Sequence, residues 1–136
     1  MRAVIDTGVL VSALIRRHGT TGDVLQALRD GRFIAIFTAD ILLEIIEVLA
    51  RPSMRLKYHI ESDDISAIIN LLRLRGQVVT VTRKISSCRD PKDDKFLEAA
   101  LAGHVDCVVS GNADLLVLTP FEEIAILRPF EFLARL

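Results

Sequence analysis

The sequence predicts an α/β domain with a mostly parallel central sheet and helices on both faces. Short apolar runs too brief for helices recur along the chain, at Ala3 to Ile5, Phe33 to Phe37, Val78 to Val81, Cys107 to Val109 and Ala125 to Leu127. Between them lie stretches whose apolar residues return at helical spacing. Strands alternating with helices make parallel crossovers and a sheet covered on both sides. The chain has 136 residues, 51% of them hydrophobic, and a mean hydropathy of +0.39, which suits one folded domain over 1–136 and excludes disorder.

The first strand, Ala3 to Ile5, is broken by Asp6, and apolar positions resume through Leu14 and Ile15 as a helix. Asp6 therefore sits at a strand's C-terminal end, the rim where open α/β sheets bind ligands; it also suits a helix cap. Arg16 to Gly22 reads as a loop, and Asp23 to Arg29 as a helix stopped at Asp30-Gly31. Phe33 to Phe37 is the second strand. The helix from about Ala39 to Ala50 is apolar almost all round and is expected to be largely buried. Its polar residues Asp40, Glu44, Glu47 and Arg51 form one narrow stripe, either solvated or pointing Glu44 into a site.

Arg51-Pro52 is expected to end that helix, with Arg51, Arg55 and Lys57 as a small basic patch. Ser62 is expected to cap the next helix, with Asp63 and Asp64 in its first turn, Ile65, Ile68, Ile69 and Leu72 as its core stripe and Gly76 as its stop. After the third strand, Asp90-Pro91 opens another helix that closes at Gly103. The fourth strand leads into Ser110, Asn112 and Asp114, and Pro129 starts a terminal helix bearing Phe130, Phe132, Leu133 and Leu136.

Charge and cysteine content narrow the function. With 17 basic and 18 acidic residues the net charge is -1, so any nucleic-acid contact must use local patches. Cys88 and Cys107 match neither a disulfide framework nor a metal-ligand spacing, as expected of a cytoplasmic protein. Asp6 interrupts the N-terminal apolar run, so that run reads as folded domain rather than a leader, and no apolar stretch is long enough to span a membrane. His18, His59 and His104 are scattered and expected at the surface.

The carboxylates carry the chemistry. Asp90, Asp93 and Asp94 crowd one helix start, more acid than capping needs. If the first and fourth strands are neighbours, Asp6, Asn112, Asp114 and the Asp90–Asp94 cluster converge at one rim, with Glu44 nearby. Carboxylates held close need a cation, and oxygen donors without His or Cys suit Mg²⁺ or Mn²⁺. Such ions serve phosphate chemistry.

At this point four segments resemble PIN-domain ribonucleases: Val4 to Ala13, Leu42 to Ile45, Arg89 to Leu97, and Val108 to Leu116. They stand in the family's order and spacing, and the likeness is to the small VapC-like toxin components of toxin–antitoxin pairs. The resemblance implies a three-layer α/β/α fold and metal-dependent endonucleolytic cleavage of RNA. It matches Asp6, Glu44 and Asp93 to the metal-binding acids, with Asp94 as an alternative third acid and Asp90 as a helix cap. It implies an antitoxin partner and, as the apolar helices also suggest, a homodimer. Arg16, Arg17, Arg51, Arg55 or Arg89 would contact phosphates.

Two positions depart from the family pattern. Gly8 replaces a common Asn, and Asn112 replaces the usual Asp of the motif after the fourth strand. Asn112 offers a metal only a neutral oxygen, so Asp114 is expected to substitute or act through a water, while Ser110 bonds Asp6 or orients the water. Two other enzyme readings are poorer. Asp6-Thr7-Gly8 matches an aspartic-protease signature, but the chain is repeatedly helical. A phosphatase with an Asp nucleophile would need a second Asp at Gly8. A non-catalytic PIN domain that binds RNA or protein is the alternative from another class.

Overall fold

The computed structural model describes residues 1–136. Five strands form one parallel sheet in the order β3-β2-β1-β4-β5: β1 Arg2–Ile5, β2 Ile34–Phe37, β3 Gly76–Val78, β4 Cys107–Val109 and β5 Ala125–Leu127. Successive strands first extend the sheet to one side of β1. The chain then returns to β1's other side with β4, so β1 and β4 flank a topological switch point. Ala3, Val4 and Ile5 pair with Cys107, Val108 and Val109, and all six are buried, as befits strands covered on both faces.

The helices are α1 Thr7–Ile15, α2 Thr20–Arg29, α3 Ala39–Ala50, α4 Pro52–Tyr58, α5 Ser62–Arg75, α6 Asp94–Gly103, α7 Ala113–Leu116 and α8 Pro129–Leu133. Helix α6 packs across β1, β2 and β4, while α1, α2, α3 and α5 pack on one another, giving the three-layer α/β/α arrangement. Phe33, beside β2, meets Phe132 of α8 edge to face at 4.9 Å, which anchors the terminal helix.

Several local expectations are corrected. Helix α3 is not largely buried: Ile41, Ile45 and Leu49 form its one buried stripe, and Leu43 is 63% exposed. Arg51-Pro52 does end α3, at Ala50, and Pro52 then also occupies the first position of α4, where its missing N–H costs nothing. Glu61, not Ser62, caps α5, through reciprocal bonds with Asp64. Strand β3 begins at Gly76, earlier than Val78, because α5 runs straight into it. A Cβ at Gly76 would lie 2.5 Å from the Leu72 carbonyl oxygen and 2.6 Å from that of Ala35. Helix α2 starts at Thr20 rather than Asp23.

The close approach of α6 to the sheet rests on Gly103. A Cβ there would lie 2.4 Å from Cγ2 of Ile36, a buried β-branched residue with little freedom to yield. Arg2 reinforces the contact, donating from Nε and Nη2 to the Gly103 carbonyl at 3.0 and 2.8 Å. Gly103→Ala is expected to destabilise the protein by about 1–3 kcal/mol through overpacking. Urea unfolding should show it as a lower midpoint with an unchanged slope.

Candidate active site

The β1–β4 pairing brings two strand ends together. Asp6 follows β1, and its N–H donates to the Val109 carbonyl at 3.0 Å. Ser110 follows β4, and its hydroxyl donates to Oδ2 of Asp6. Asp6 also caps α1, its Oδ1 accepting from the Val9 N–H at 2.8 Å. The capping reading of Asp6 therefore holds, and the two bonds fix its side chain in place.

A cavity of about 390 Å³ opens over this point, lined by Asp6, Thr7, Glu44, Asp93 and Asn112 among others. Three carboxylates that are far apart in sequence thus share one cavity. Each has its own donor: Ser110 for Asp6, the Lys95 ammonium for Glu44, and the Asn112 amide for Asp93 at 2.9 Å. Glu44 and Lys95 are both about four-fifths buried, so this ion pair is not a loose surface one. Sequence reading missed Lys95, because 51 residues separate it from Glu44 and no local spacing pairs them.

The acids are electrostatically uncomfortable. Burial pushes the Asp6 carboxyl above its ordinary value, against the bonds from Ser110 and Val9, and the charges of Asp93 and Glu44 add to the rise. Asp93 is raised for the same first reason, helped by Asp90, Glu44 and Asp114.

The remaining predicted positions lie around this cavity. Asp94 is turned away from it: its buried carboxylate accepts the backbone N–H groups of Ser87 at 3.0 Å and Cys88 at 2.9 Å. Burial acts to raise the Asp94 carboxyl, but those bonds outweigh it and hold it below the ordinary value. One turn later Glu98 accepts from the Ile85 N–H at 3.0 Å, so two acids of α6 pin the 85–88 segment. Asp90 is exposed and caps the turn at Pro91–Asp93, accepting from Lys92 N–H at 3.0 Å. Asn112 caps α7 through Oδ1, which accepts the Asp114 N–H at 2.9 Å, so its amide group rather than its carbonyl faces Asp93. Asp114 is half-buried outside the cavity lining and acts on Asp93 through charge. Gly8 has room for a side chain, since a Cβ there would lie 3.4 Å from Oδ1 of Asp6. All three histidines are exposed. Cys88 is no nucleophile: burial first, then Asp94 and neighbouring acids, push its thiol up to about 12.

A model of the PIN domain family matches residues 2–114. The chain belongs to the PIN domain family. It is 28% identical over 118 residues to the uncharacterized protein MJ1680 of Methanocaldococcus jannaschii, covering 87% of this chain and 75% of that one. Its fold is similar to that in the crystal structure of VapBC2 from Rickettsia felis bound to a DNA fragment from their promoter. The TM-score is 0.62 at 10% identity, over 94% of this chain and 98% of the other. FitAB bound to an IR36 DNA fragment gives 0.56 at 13% identity, over 94% and 95%. At those identities the likeness is one of fold.

As the side chains stand, no three His, Cys, Asp or Glu groups are arranged to hold a metal ion. The residues nevertheless fit a hard divalent ion on two observations. Asp6, Glu44 and Asp93 provide oxygen donors whose mutual repulsion a cation relieves. The hydroxyl of Thr7, a buried residue of the same cavity wall, has no hydrogen-bond partner.

The pKa directions fix a sign. A carboxyl raised in the fold contributes stability below its unfolded value, near 3.8, and loses it as pH rises through the folded value. Asp6→Asn should therefore match the wild type in acid and become the more stable protein as pH rises above about 4 in EDTA, measured by urea unfolding across pH. Asp94 works the other way, being stabilising above 3.8 and less so as pH falls through its lowered value. Asp94→Ala should cost about 1–3 kcal/mol at neutral pH by orphaning the two N–H groups, and chemical denaturation will show it.

Proposed function

We propose that this PIN domain is a Mg²⁺- or Mn²⁺-dependent endoribonuclease and the toxin half of a toxin–antitoxin pair. The observation that carries the reading is the convergence of Asp6, Glu44 and Asp93 on one cavity at the sheet's switch point. In this reading those three acids hold the ion, with Asn112 beside Asp93. When bound, the ion supplies charge for the phosphoryl oxygens and lowers the pKa of a water.

The chain's own residues do the rest. Ser110 and the Val9 N–H hold the Asp6 carboxylate in one orientation, so little reorganisation is needed when a substrate arrives. Asn112 does the same for Asp93. Asp114 lies outside the cavity lining, and in this reading it acts on the attacking water from a distance, through its charge on Asp93. Next to the cavity, and sharing Glu44 and Asp93 with it, runs a groove of about 800 Å³ that also carries Arg51, Lys92 and Lys95. Of these, Lys92 is exposed and placed to contact an RNA phosphate beside the cut, an interaction that weakens as salt rises, whereas Arg51 is paired with Glu47 at 3.0 Å and Lys95 with Glu44. Arg55 is less available, since it donates to the Ile60 carbonyl and to Ser62. Arg16, Arg17 and Arg89 are exposed.

The fold shared with VapBC2 and FitAB supports an antitoxin partner. Exposed Leu43 on α3, Leu56 on α4 and Leu74 on α5 support a homodimer, which light scattering at micromolar concentration would register as twice the 15.1 kDa chain mass. No helix is long and apolar enough to cross a membrane, in keeping with a cytoplasmic role. One observation favours the second reading, a PIN domain that binds RNA or protein without cutting. Asn112 is uncharged, and its carbonyl is already engaged by the Asp114 N–H.

Incubation with a mixed RNA pool and sequencing of the new ends decides between them. Wild type should cut with Mn²⁺ and not in EDTA, and Asp6→Asn and Asp93→Asn should lose on the order of 100-fold or more, the scale of removing one preorganised charge-stabilising group. If wild type is silent and Asn112→Asp cuts, the fourth position limits the enzyme. If every folded version is silent, the binding reading holds.

A further inference from the structure

Resting on the nuclease reading, we infer that Lys95 is a resident counter-cation of the site, standing at Glu44 where a second metal ion would otherwise be needed, so that the chain binds a single divalent ion. The inference begins from the unequal partners of the three acids. Asp6 and Asp93 are held by neutral donors, the Ser110 hydroxyl and the Asn112 amide. Glu44 alone is held by a full positive charge. Lys95 reaches it from the first turn of α6, two residues after Asp93, so the ammonium and the third acid are delivered by the same short segment.

Charge balance then sets the capacity. Asp6, Glu44 and Asp93 bring three negative charges to the cavity, Lys95 neutralises one, and Asn112 adds none. The two that remain match one divalent ion. A second ion would leave the site with a net positive charge, with the Lys95 ammonium facing it across Glu44. Sites that hold two ions about 4 Å apart need additional anionic ligands to offset their repulsion. The other nearby acids lie outside the cavity lining: Asp94 is bound to the Ser87 and Cys88 N–H groups, Asp90 is exposed and capping, Asp114 does not line the cavity, and Asp40 and Glu47 line the adjacent groove, Glu47 paired with Arg51. Thr7, which also lines the cavity, is neutral and leaves this balance unaltered.

The test counts bound ions and needs no RNA. Mn²⁺ titration followed by electron paramagnetic resonance gives the number of ions per chain and their affinity. Wild type should bind one. Lys95→Gln should still bind one but roughly tenfold more tightly, since a buried positive charge beside a metal ligand has been removed. Lys95→Arg should keep the wild-type number and affinity, because the charge is preserved. The double variant Lys95→Gln with Asn112→Asp, which removes one positive charge and adds one carboxylate, should bind two. Circular dichroism confirms that each variant is folded.

Two ions on the wild type would overturn the inference while leaving the nuclease reading intact, as would unchanged affinity in Lys95→Gln. No ion on folded wild type, with cleavage absent too, would overturn the nuclease reading and the inference with it.

Discussion

The parallel pairing of β1 with β4 is the constraint on which the site depends. Ile5 stands opposite Val109, so the residues that follow the two strands emerge side by side, and the Ser110 hydroxyl reaches the Asp6 carboxylate across a sequence gap of 104 residues. A slip of one residue in either strand would turn its side chains to the opposite face and break that contact. The register is protected because every residue of the pairing is buried. Long-range order in the core thus fixes the position of one acid, and the other two are brought to it by α3 and by the turn before α6.

What distinguishes these acids from the others on α6 is the source of their partners. Asp94 and Glu98 accept backbone N–H groups of the 85–88 segment, donors that the segment would otherwise leave unpaired. They are structural, and the chain gains stability by ionising Asp94. Burial raises Asp6 and Asp93 beyond what their donors offset, and neighbouring charges add to it, those of Asp93 and Glu44 on Asp6, and those of Asp90, Glu44 and Asp114 on Asp93. Adjacent carboxylates, Asp93 and Asp94, are in this way driven to opposite roles by the direction each leaves the backbone. Acids raised by burial that share a cavity are where the proposed function is sought, whereas a well-satisfied buried acid is a structural joint.

The strand–helix alternation, the strand-end position of Asp6 and the helix-start position of Asp93 were legible because each is a local pattern. Periodicity and turn chemistry report them directly. The rest failed for identifiable reasons. Arg51-Pro52 ends α3 as read, but Pro52 also opens α4, a second role that reading it only as a stop leaves out. The apolar circumference of α3 suggested burial, yet the neighbouring helices cover one stripe and leave Leu43 in solvent. Asp93 and Asp94 could not be separated, because side-chain direction at a helix start depends on the 3₁₀ turn from Pro91 to Asp93 that precedes α6. Glu44 and Lys95 meet only because α3 and α6 are packed together, a contact that no spacing along the chain encodes.

Asn112 and Lys95 are best understood together. An aspartate at position 112 would turn a second carboxylate toward Asp93, and in the metal-free protein that repulsion would add to the burial already borne by Asp6 and Asp93. The amide converts the same contact into a hydrogen bond, and the ammonium of Lys95 does likewise for Glu44. The result is a site whose three acids are each held by a partner before any ion arrives. The cost falls on ion affinity, because ligand charge is what draws a hard cation from water. A preorganised geometry offsets part of that cost, since the acids need not be gathered on binding. On the proposed reading, the two departures from an all-carboxylate site therefore push in one direction, toward a fold that is stable without an ion and would hold one more weakly.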